Sequence, residues 1–384
     1  MRQQPGFNLR LVTVPSVRRV VRHIAWSQLT DEFRNDVDAY LTWCRGLDVF
    51  AADARSRTLG PQTLKLRYSQ IHAAISALIQ SGIEPSAIGS LADLIQPENF
   101  KRILRRRHEM VRGRENTFNR NLADVLVRIA GEWAKADAKV LTELKRLAAK
   151  VPTPPAGLTD KNKRFLRQFD DPEALQRLLK LPARLWAEVK RESKRNQQTL
   201  AKAQTAIAIG ILCYMPLRLQ NLVALTFDVH LFLRENPRAT STLELSEGEV
   251  KNQMPLAFDI PSAIAKMLIE YRNRIAPKFI GHRPDYLFVN LDGSPKDEKT
   301  VAWLITTYLR KRAGIVITPH QFRHLSAKIL LDAEPGGFEI VRQLLGHRSL
   351  RMTVGAYAGI DSRRAARHHQ HLVEQALTAE KPKQ

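Results

Sequence analysis

The stretch FEIVRQLLGHRSLRMTVGAYAG, residues 338–359, decides how the C-terminal half of this 384-residue chain is read. Ile340, Val341, Leu344 and Leu345 recur at helical spacing and predict one apolar helix face. Gly346 is a natural stop just past a helix C-terminus, which sets His347 immediately after the turn. Leu350, Val354 and Tyr357 then step by four and three, predicting a face on a following helix. A buried aromatic on a helix needs no histidine turn and no surplus of cations around it, whereas a nucleophilic tyrosine does.

Three further segments work outward from that stretch. TPHQFRHLSAKILL, residues 318–331, starts with a helix-opening Thr318-Pro319 pair. His320 and Arg323 share a helix face, while Phe322, Leu325 and Ile329 are expected to turn inward. His320 and Arg323 thus sit at a helix N-terminus, where backbone N–H groups favour an anion. CYMPLRLQNLVAL, residues 213–225, follows an apolar and so buried helix that Pro216 ends, and Arg218 opens the next helix beside that core. An arginine there is either ion-paired or aimed into a site. Residues 241–245 and 250–260 flank a turn at Ser246-Glu247-Gly248-Glu249, a hairpin signal. Lys251 is expected on its second strand, though taken alone it reads as an ordinary surface lysine. Residues 286–290 are a third strand candidate.

The bulk composition narrows the partner. Lys and Arg total 61 against 38 Asp and Glu, a net charge of +23. A surplus of that size points to a polyanion, most often nucleic acid. The two cysteines, Cys44 and Cys213, have no metal-type spacing and imply no disulfide framework. The longest apolar run, residues 206–215, is too short to span a bilayer. The first 26 residues carry five arginines and no acid, and lack the apolar core of a signal peptide. They read as a basic arm lying on DNA.

The N-terminal half is a helical domain. In residues 61–81, Leu64, Tyr68, Ile71, Ile75 and Leu78 trace one apolar face, with Pro61 at the start and Gly82 at the stop. Residues 31–44 and 117–135 also read as helices. Between them, KRILRRRHEMVRGR holds seven cations and one acid, so Lys101, Arg102, Arg105, Arg106, Arg107, Arg112 and Arg114 are candidate phosphate contacts. VPTPPAGLTDKNK, residues 151–163, reads as a linker. The organisation expected is a basic arm over 1–24, a helical DNA-binding domain over 25–150, the linker over 151–163, and a catalytic domain with a C-terminal tail over 164–384. The last dozen residues are expected to fray.

Arg218, the hairpin Lys251, His320-x-x-Arg323, Leu-Gly-His347 and the late Tyr357 together resemble the catalytic set of the tyrosine recombinases, the phage integrase family, through about residues 190–370. The 25–150 region is similar to that family's core-binding domain in position and helicity. The fold implied is mainly α with a small β-hairpin or sheet, two domains clamped around DNA. The activity implied is site-specific recombination, serving integration, excision or resolution of DNA elements. Tyr357 attacks a phosphodiester to give a 3′-phosphotyrosine and a free 5′-hydroxyl, with His320 as base or relay, Arg218, Arg323 and His347 on the non-bridging oxygens, and Lys251 as general acid. The sequence departs from the family pattern at Asn221, where an acid often stands three residues after the arginine, and in a His-to-Tyr spacing of ten. No cofactor or metal is implied, and His368, His369 and His371 read as a polar helix face. The partners implied are double-stranded DNA and a homotetramer pairing two duplexes, with room for accessory DNA-bending or directionality proteins and none for a membrane. The location implied is the cytoplasm, at the nucleoid. The competing readings are a type IB topoisomerase-like strand relaxation and a non-catalytic DNA-binding regulator of recombinase descent.

Overall fold

The computed structural model describes residues 23–378 apart from 47–49, 51–54, 56–57, 156, 193–195, 237 and 335. Within the last helix it leaves out the side chains of 358–365, 367–368, 371 and 376–378. Residues 1–22 of the expected basic arm and the extreme C-terminus therefore lie outside the described residues. Two compact units divide between Pro155 and Ala156.

In the first unit, helices α1 (Asp31–Arg45), α2 (Pro61–Ile79), α3 (Leu91–Leu94), α4 (Pro97–Met110), α5 (Thr117–Arg128) and α6 (Ala138–Ala149) follow one another. Thr30, Asn116 and Asp137 cap α1, α5 and α6 by accepting from backbone N–H groups. Phe33, Tyr40, Ile71, Ile75, Leu78, Phe100, Ile103, Leu122 and Leu126 fill the core. A π-turn, Ile129–Trp133, ends the helical run that begins at Thr117.

The second unit carries α7 (Asp160–Arg167), α8 (Pro172–Arg191), α9 (Gln197–Tyr214), α10 (Leu219–Val223), strands β1 (Leu231–Phe232), β2 (Ser241–Leu245) and β3 (Leu256–Ile260), then α11 (Ser262–Glu270), α12 (Pro277–Ile280), α13 (Glu298–Ala313), α14 (Pro319–Ala333), α15 (Phe338–Leu345) and α16 (Leu350–Thr378). Helix α7 takes up the last four residues of the expected linker. Helix α9 is buried on nearly every side. At Gly210 a Cβ would come within 2.6 Å of the Ile264 side chain, so α9 and α11 approach as closely as only glycine allows. The described residues are mainly helical with one small antiparallel sheet, ordered β1-β2-β3, in which Leu231 pairs with Leu243 and Leu243 with Phe258.

The structure corrects several details of the sequence reading. The second hairpin strand starts at Leu256, not at residue 250, because Gln253 turns with φ 51° and Pro255 has no N–H to donate to a ladder. Lys251 therefore sits in a turn rather than on a strand. Residues 286–290 form no strand; they make single bridges, Thr226 to Tyr286 and Val289 to Pro295. The third strand is the two-residue β1, too short to show any periodicity. Ile329 and Ile340 are exposed, at 38% and 43%, and so are Leu350 and Val354. The inward face of α16 is instead Thr353 and Tyr357, one turn apart, with Tyr357 packed on Ala327, Leu331, Val341 and Leu345.

Candidate active site

Arg323 projects from α14 into the interior, only 3% exposed. Its Nη1 donates to the carbonyl of Pro216 at 2.7 Å and its Nη2 to the carbonyl of Leu345 at 2.6 Å. The planar fork thus ties the segment after α9 to the end of α15. Burial, then the charge of Arg218, pulls the Arg323 pKa down to about 10. Arg218 is the N-cap residue of α10. Burial lowers its pKa too, and its Nη1 is buried without a hydrogen-bond partner among the described residues.

The histidines gather around these two cations. His320 lies on the first turn of α14 with its ring reaching solvent. Crowding by protein atoms, then Arg323 and Arg218, holds its pKa below the usual imidazole range. Gly346 ends α15 in the left-handed conformation at φ 57°, the backbone state that glycine enters without strain. His347 follows, and its Nδ1 lies 2.9 Å from Thr353 Oγ1 on α16. Desolvation, then Arg323 and Arg218, brings its pKa to about 4, so the ring is neutral at pH 7. Tyr357 is 2% exposed. Burial pushes its phenol up to about 12, with Arg323 opposing the rise. Its Oη lies 2.9 Å from Nδ1 of His324, not of His320. The structure thus brings Arg218, His320, Arg323, His347 and Tyr357 into one electrostatically coupled cluster.

Residues 186–364 match the model of the phage integrase family. That segment belongs to the phage integrase family. Curated relatives include tyrosine recombinase XerC of Staphylococcus carnosus, 33% identical over 95 residues, covering 24% of this chain and 31% of the relative. Tyrosine recombinase XerA of Pyrococcus furiosus is 38% identical over 94 residues, covering 24% and 30%. The chain spans about a third of the length of the curated relatives it matches. Among solved structures, a lambda integrase dimer bound to a core site is similar at TM-score 0.47 and 15% identity, over 86% of this chain and 95% of that one. XerA recombinase is similar at TM-score 0.35 and 18% identity, over 87% and 98%.

In the integrase-family segment, Lys251 is exposed, in a loop held at both ends. Asn252 Nδ2 donates to the carbonyl of Gly346 at 2.8 Å, and Arg348 donates to the Asn252 carbonyl and to Gln253 Oε1. On the other side, Asn221 Nδ2 donates to the Glu249 carbonyl at 3.0 Å, and Glu249 accepts from His230 at 2.6 Å. Asn221, which brings no charge where the family often has an acid, therefore still anchors the Lys251 loop beside the Arg218 helix.

The sequence reading gave Asn162, Asn252 and Arg348 no part in the site and did not set His324 against Tyr357. The available signal for His324 was its place one turn after His320, next to Arg323. Asn162 lies 162 residues from its partner, and no local pattern links the two. Among the described residues no group of three or more His, Cys, Asp or Glu side chains is placed to hold a metal ion. None of the described helices is long and apolar enough to cross a membrane.

The candidate phosphate contacts of the first unit divide in two. Arg102, Arg105, Arg112 and Arg114 are exposed, and Lys101 and Arg106 partly so; Lys101 pairs with Glu98 and Arg106 with Glu109. Arg107 is a correction. It is buried at 8%, its Nε donates to Asn119 Oδ1 at 3.0 Å, and its guanidinium lies over the Phe118 ring. Helical periodicity turns Phe100, Ile103 and Arg107, spaced three and four apart on α4, to the same inward face. A cavity of about 350 Å³ beside it is lined by Lys101, Arg105, His108, Arg114 and Lys150, among others.

Proposed function

We propose that this protein is a site-specific DNA recombinase that cleaves and rejoins duplex DNA through a 3′-phosphotyrosine at Tyr357. One observation carries the reading: two desolvated guanidinium groups, Arg218 and Arg323, share a site with neutral His347 and with the buried hydroxyl of Tyr357. A buried cationic N–H without an acceptor among the described residues, as at Arg218 Nη1, is costly, and a phosphate oxygen relieves that cost. Planar arginine forks suit the two non-bridging oxygens, where charge gathers in the transition state, and His347 adds a hydrogen bond there.

At a pKa of about 12, only about one phenol in 10⁵ is ionised at pH 7. Attack on phosphorus must therefore be concerted with proton removal. His320, neutral and at the mouth of the site, takes that proton. Lys251, carried by the braced loop, gives one to the leaving 5′-oxygen. The phosphotyrosine ester conserves the bond for rejoining to a second strand. The exposed Arg102, Arg105, Arg112 and Arg114 contact backbone phosphates, and strand exchange takes place in a homotetramer on two duplexes. Leu372 and Val373, 48% and 43% exposed on α16, belong to the helix that docks on the neighbouring protomer. The site of action is the DNA of the cytoplasm.

The experiment is covalent trapping. A randomised duplex library, nicked to strand the intermediate, is incubated with the full chain, and covalently marked DNA is recovered and sequenced. Wild type should mark one family of sites at a 3′ end, and Tyr357→Phe should bind those sites without marking them. Covalent attachment by the Phe variant refutes the assignment. Relaxation of any supercoiled plasmid without joint products between two site-bearing duplexes would instead make the enzyme a topoisomerase.

A further inference from the structure

Tyr357 Oη touches His324, a residue that the cleavage chemistry so far leaves without a task. Which of the two donates the hydrogen at 2.9 Å is decided by a chain of side chains that starts at a backbone N–H. The main-chain nitrogen of Thr318 can only donate, and it donates to Gln321 Oε1 at 2.9 Å, part of the capping box that opens α14. That fixes the Gln321 amide, so its Nε2 faces away and donates to Asn162 Oδ1 at 3.0 Å. The Asn162 amide is then fixed in turn, and its Nδ2 donates to His324 Nε2 at 3.1 Å. A ring nitrogen that accepts is unprotonated, so the proton of a neutral His324 resides on Nδ1, the atom facing Tyr357. Burial, with repulsion from Arg323 and from His320 and His347 when they are protonated, holds the His324 pKa at about 4, which keeps the ring neutral at pH 7. Every alternative assignment places two N–H donors face to face at one of these contacts, the last of them against the Thr318 backbone. An unmade buried bond of that kind costs about 1–3 kcal/mol. Asn162 stands on the first turn of α7, its own N–H capped by Thr159 Oγ1, and α7 packs against α14. The relay therefore joins two helices far apart in sequence.

We propose that the relay Thr318–Gln321–Asn162–His324 delivers the Nδ1–H of His324 to Tyr357 Oη, making His324 a catalytic residue that steadies negative charge on the nucleophile, with Asn162 as its positioning residue. The inference rests on the reading of Tyr357 as the nucleophile. In the cleavage step the Tyr357 proton passes to His320 as the Oη–P bond forms, and the P–O5′ bond breaks as Lys251 protonates the leaving oxygen. His324 keeps its own proton throughout. Its N–H strengthens as a hydrogen bond only while phenolate character develops, and so acts on the transition state more than on the resting phenol.

Two measurements on the full chain test this. The first reads the tautomer directly: protein with ¹⁵N-labelled histidine is studied at pH 7, the His324 ring signals being those absent from His324→Asn. Wild type should show protonated Nδ1 and bare Nε2. Asn162→Asp offers a carboxylate that accepts from Nε2, and should shift His324 to the Nε2-protonated or cationic form. A wild-type His324 protonated on Nε2 overturns the proposal. The second measurement is single-turnover formation of the covalent complex on the site recovered by trapping. His324→Ala should slow it on the order of 10²-fold, the scale for removing one donor from a developing oxyanion. His324→Asn, whose amide N–H stands where Nδ1 was, should recover to within about tenfold of wild type. Asn162→Asp should be slow as well, and its pH profile between pH 5 and 8 should differ from that of wild type. A His324→Ala protein as fast as wild type, or His324→Asn no faster than His324→Ala, overturns the proposal. Failure of the underlying reading shows differently: Tyr357→Phe would still become attached, whatever His324 does.

Discussion

Arg323→Lys separates the fork from the charge, and its consequence follows from two distances. The guanidinium holds the Pro216 carbonyl at 2.7 Å and the Leu345 carbonyl at 2.6 Å through different nitrogens. A lysine ammonium is a single point on a flexible tether and reaches one of these carbonyls well. The other is left buried without a donor. Removing one hydrogen bond to a charged group costs about 1.5–3 kcal/mol. For a unit of this size about 2–4 °C accompanies each kcal/mol, so its thermal transition should fall by about 3–12 °C. The end of α15 immediately precedes Gly346 and His347, so loosening the Leu345 carbonyl also frees the histidine turn. Lysine begins about two pKa units below arginine, and the site that draws Arg323 down to about 10 would take charge from a lysine at mildly alkaline pH. Calorimetry of the full chain, paired with covalent trapping at pH 7 and pH 9, reads both effects. The variant should melt lower and should lose more cleavage at pH 9 than wild type does. An unchanged melting temperature together with wild-type cleavage at both pH values would refute the structural role assigned to the fork.

Lys251→Ala should slow cleavage about 10²–10⁴-fold, the range for general acid catalysis; a substrate with sulfur in place of the bridging 5′-oxygen should restore it, since a thiolate of reference pKa about 8.5 departs without a proton, and failure of that rescue would make Lys251 a DNA-positioning residue. Changing Arg102, Arg105 and Arg112 together to Gln should flatten the log–log salt dependence of DNA binding by about 0.9 for each phosphate no longer neutralised, on unrelated sequences as well as the true site, whereas Arg107→Gln should lower thermal stability and leave the slope alone. An unchanged slope in the triple variant would make that surface merely solvated. His347 has a folded pKa of about 4 against about 6.5 unfolded, so the unfolded chain binds the extra proton first and stability is lost as pH falls from about 6.5 to about 4. The melting temperature of His347→Asn should fall less than that of wild type over this window, and identical slopes would contradict the depressed pKa.

The fold class was legible because its signals are local. The apolar run of α9, the steps of α2, the cap Thr318-Pro319 and the stop Gly346 each act over a few residues, and each forms the element it suggests. Where the reading went astray, burial was set by a neighbour that the sequence does not name. Ile329, Ile340, Leu350 and Val354 match a helical period yet are exposed, because α14, α15 and α16 pack on a narrower seam that buries Thr353 and Tyr357 instead. Arg107 read as a phosphate contact among its neighbours, but the phase of α4 turns it inward against the Phe118 ring.

The sequence by itself determined which chemical groups are present and their order: two arginines, two spaced histidines, a lysine near a hairpin and a late tyrosine, in a chain with a net charge of +23. Local rules of capping, periodicity and turn formation suffice for that, since they act within a few residues. The tertiary structure alone decided the contacts that give those groups their work. It placed His324 against Tyr357, tied Arg323 to two carbonyls, and braced the Lys251 loop through Asn221 and Asn252. The reason is physical: a hydrogen bond depends on a few tenths of an ångström and on the direction of an N–H, and those are set by packing between segments as distant as Asn162 and His324, which no spacing in the chain records.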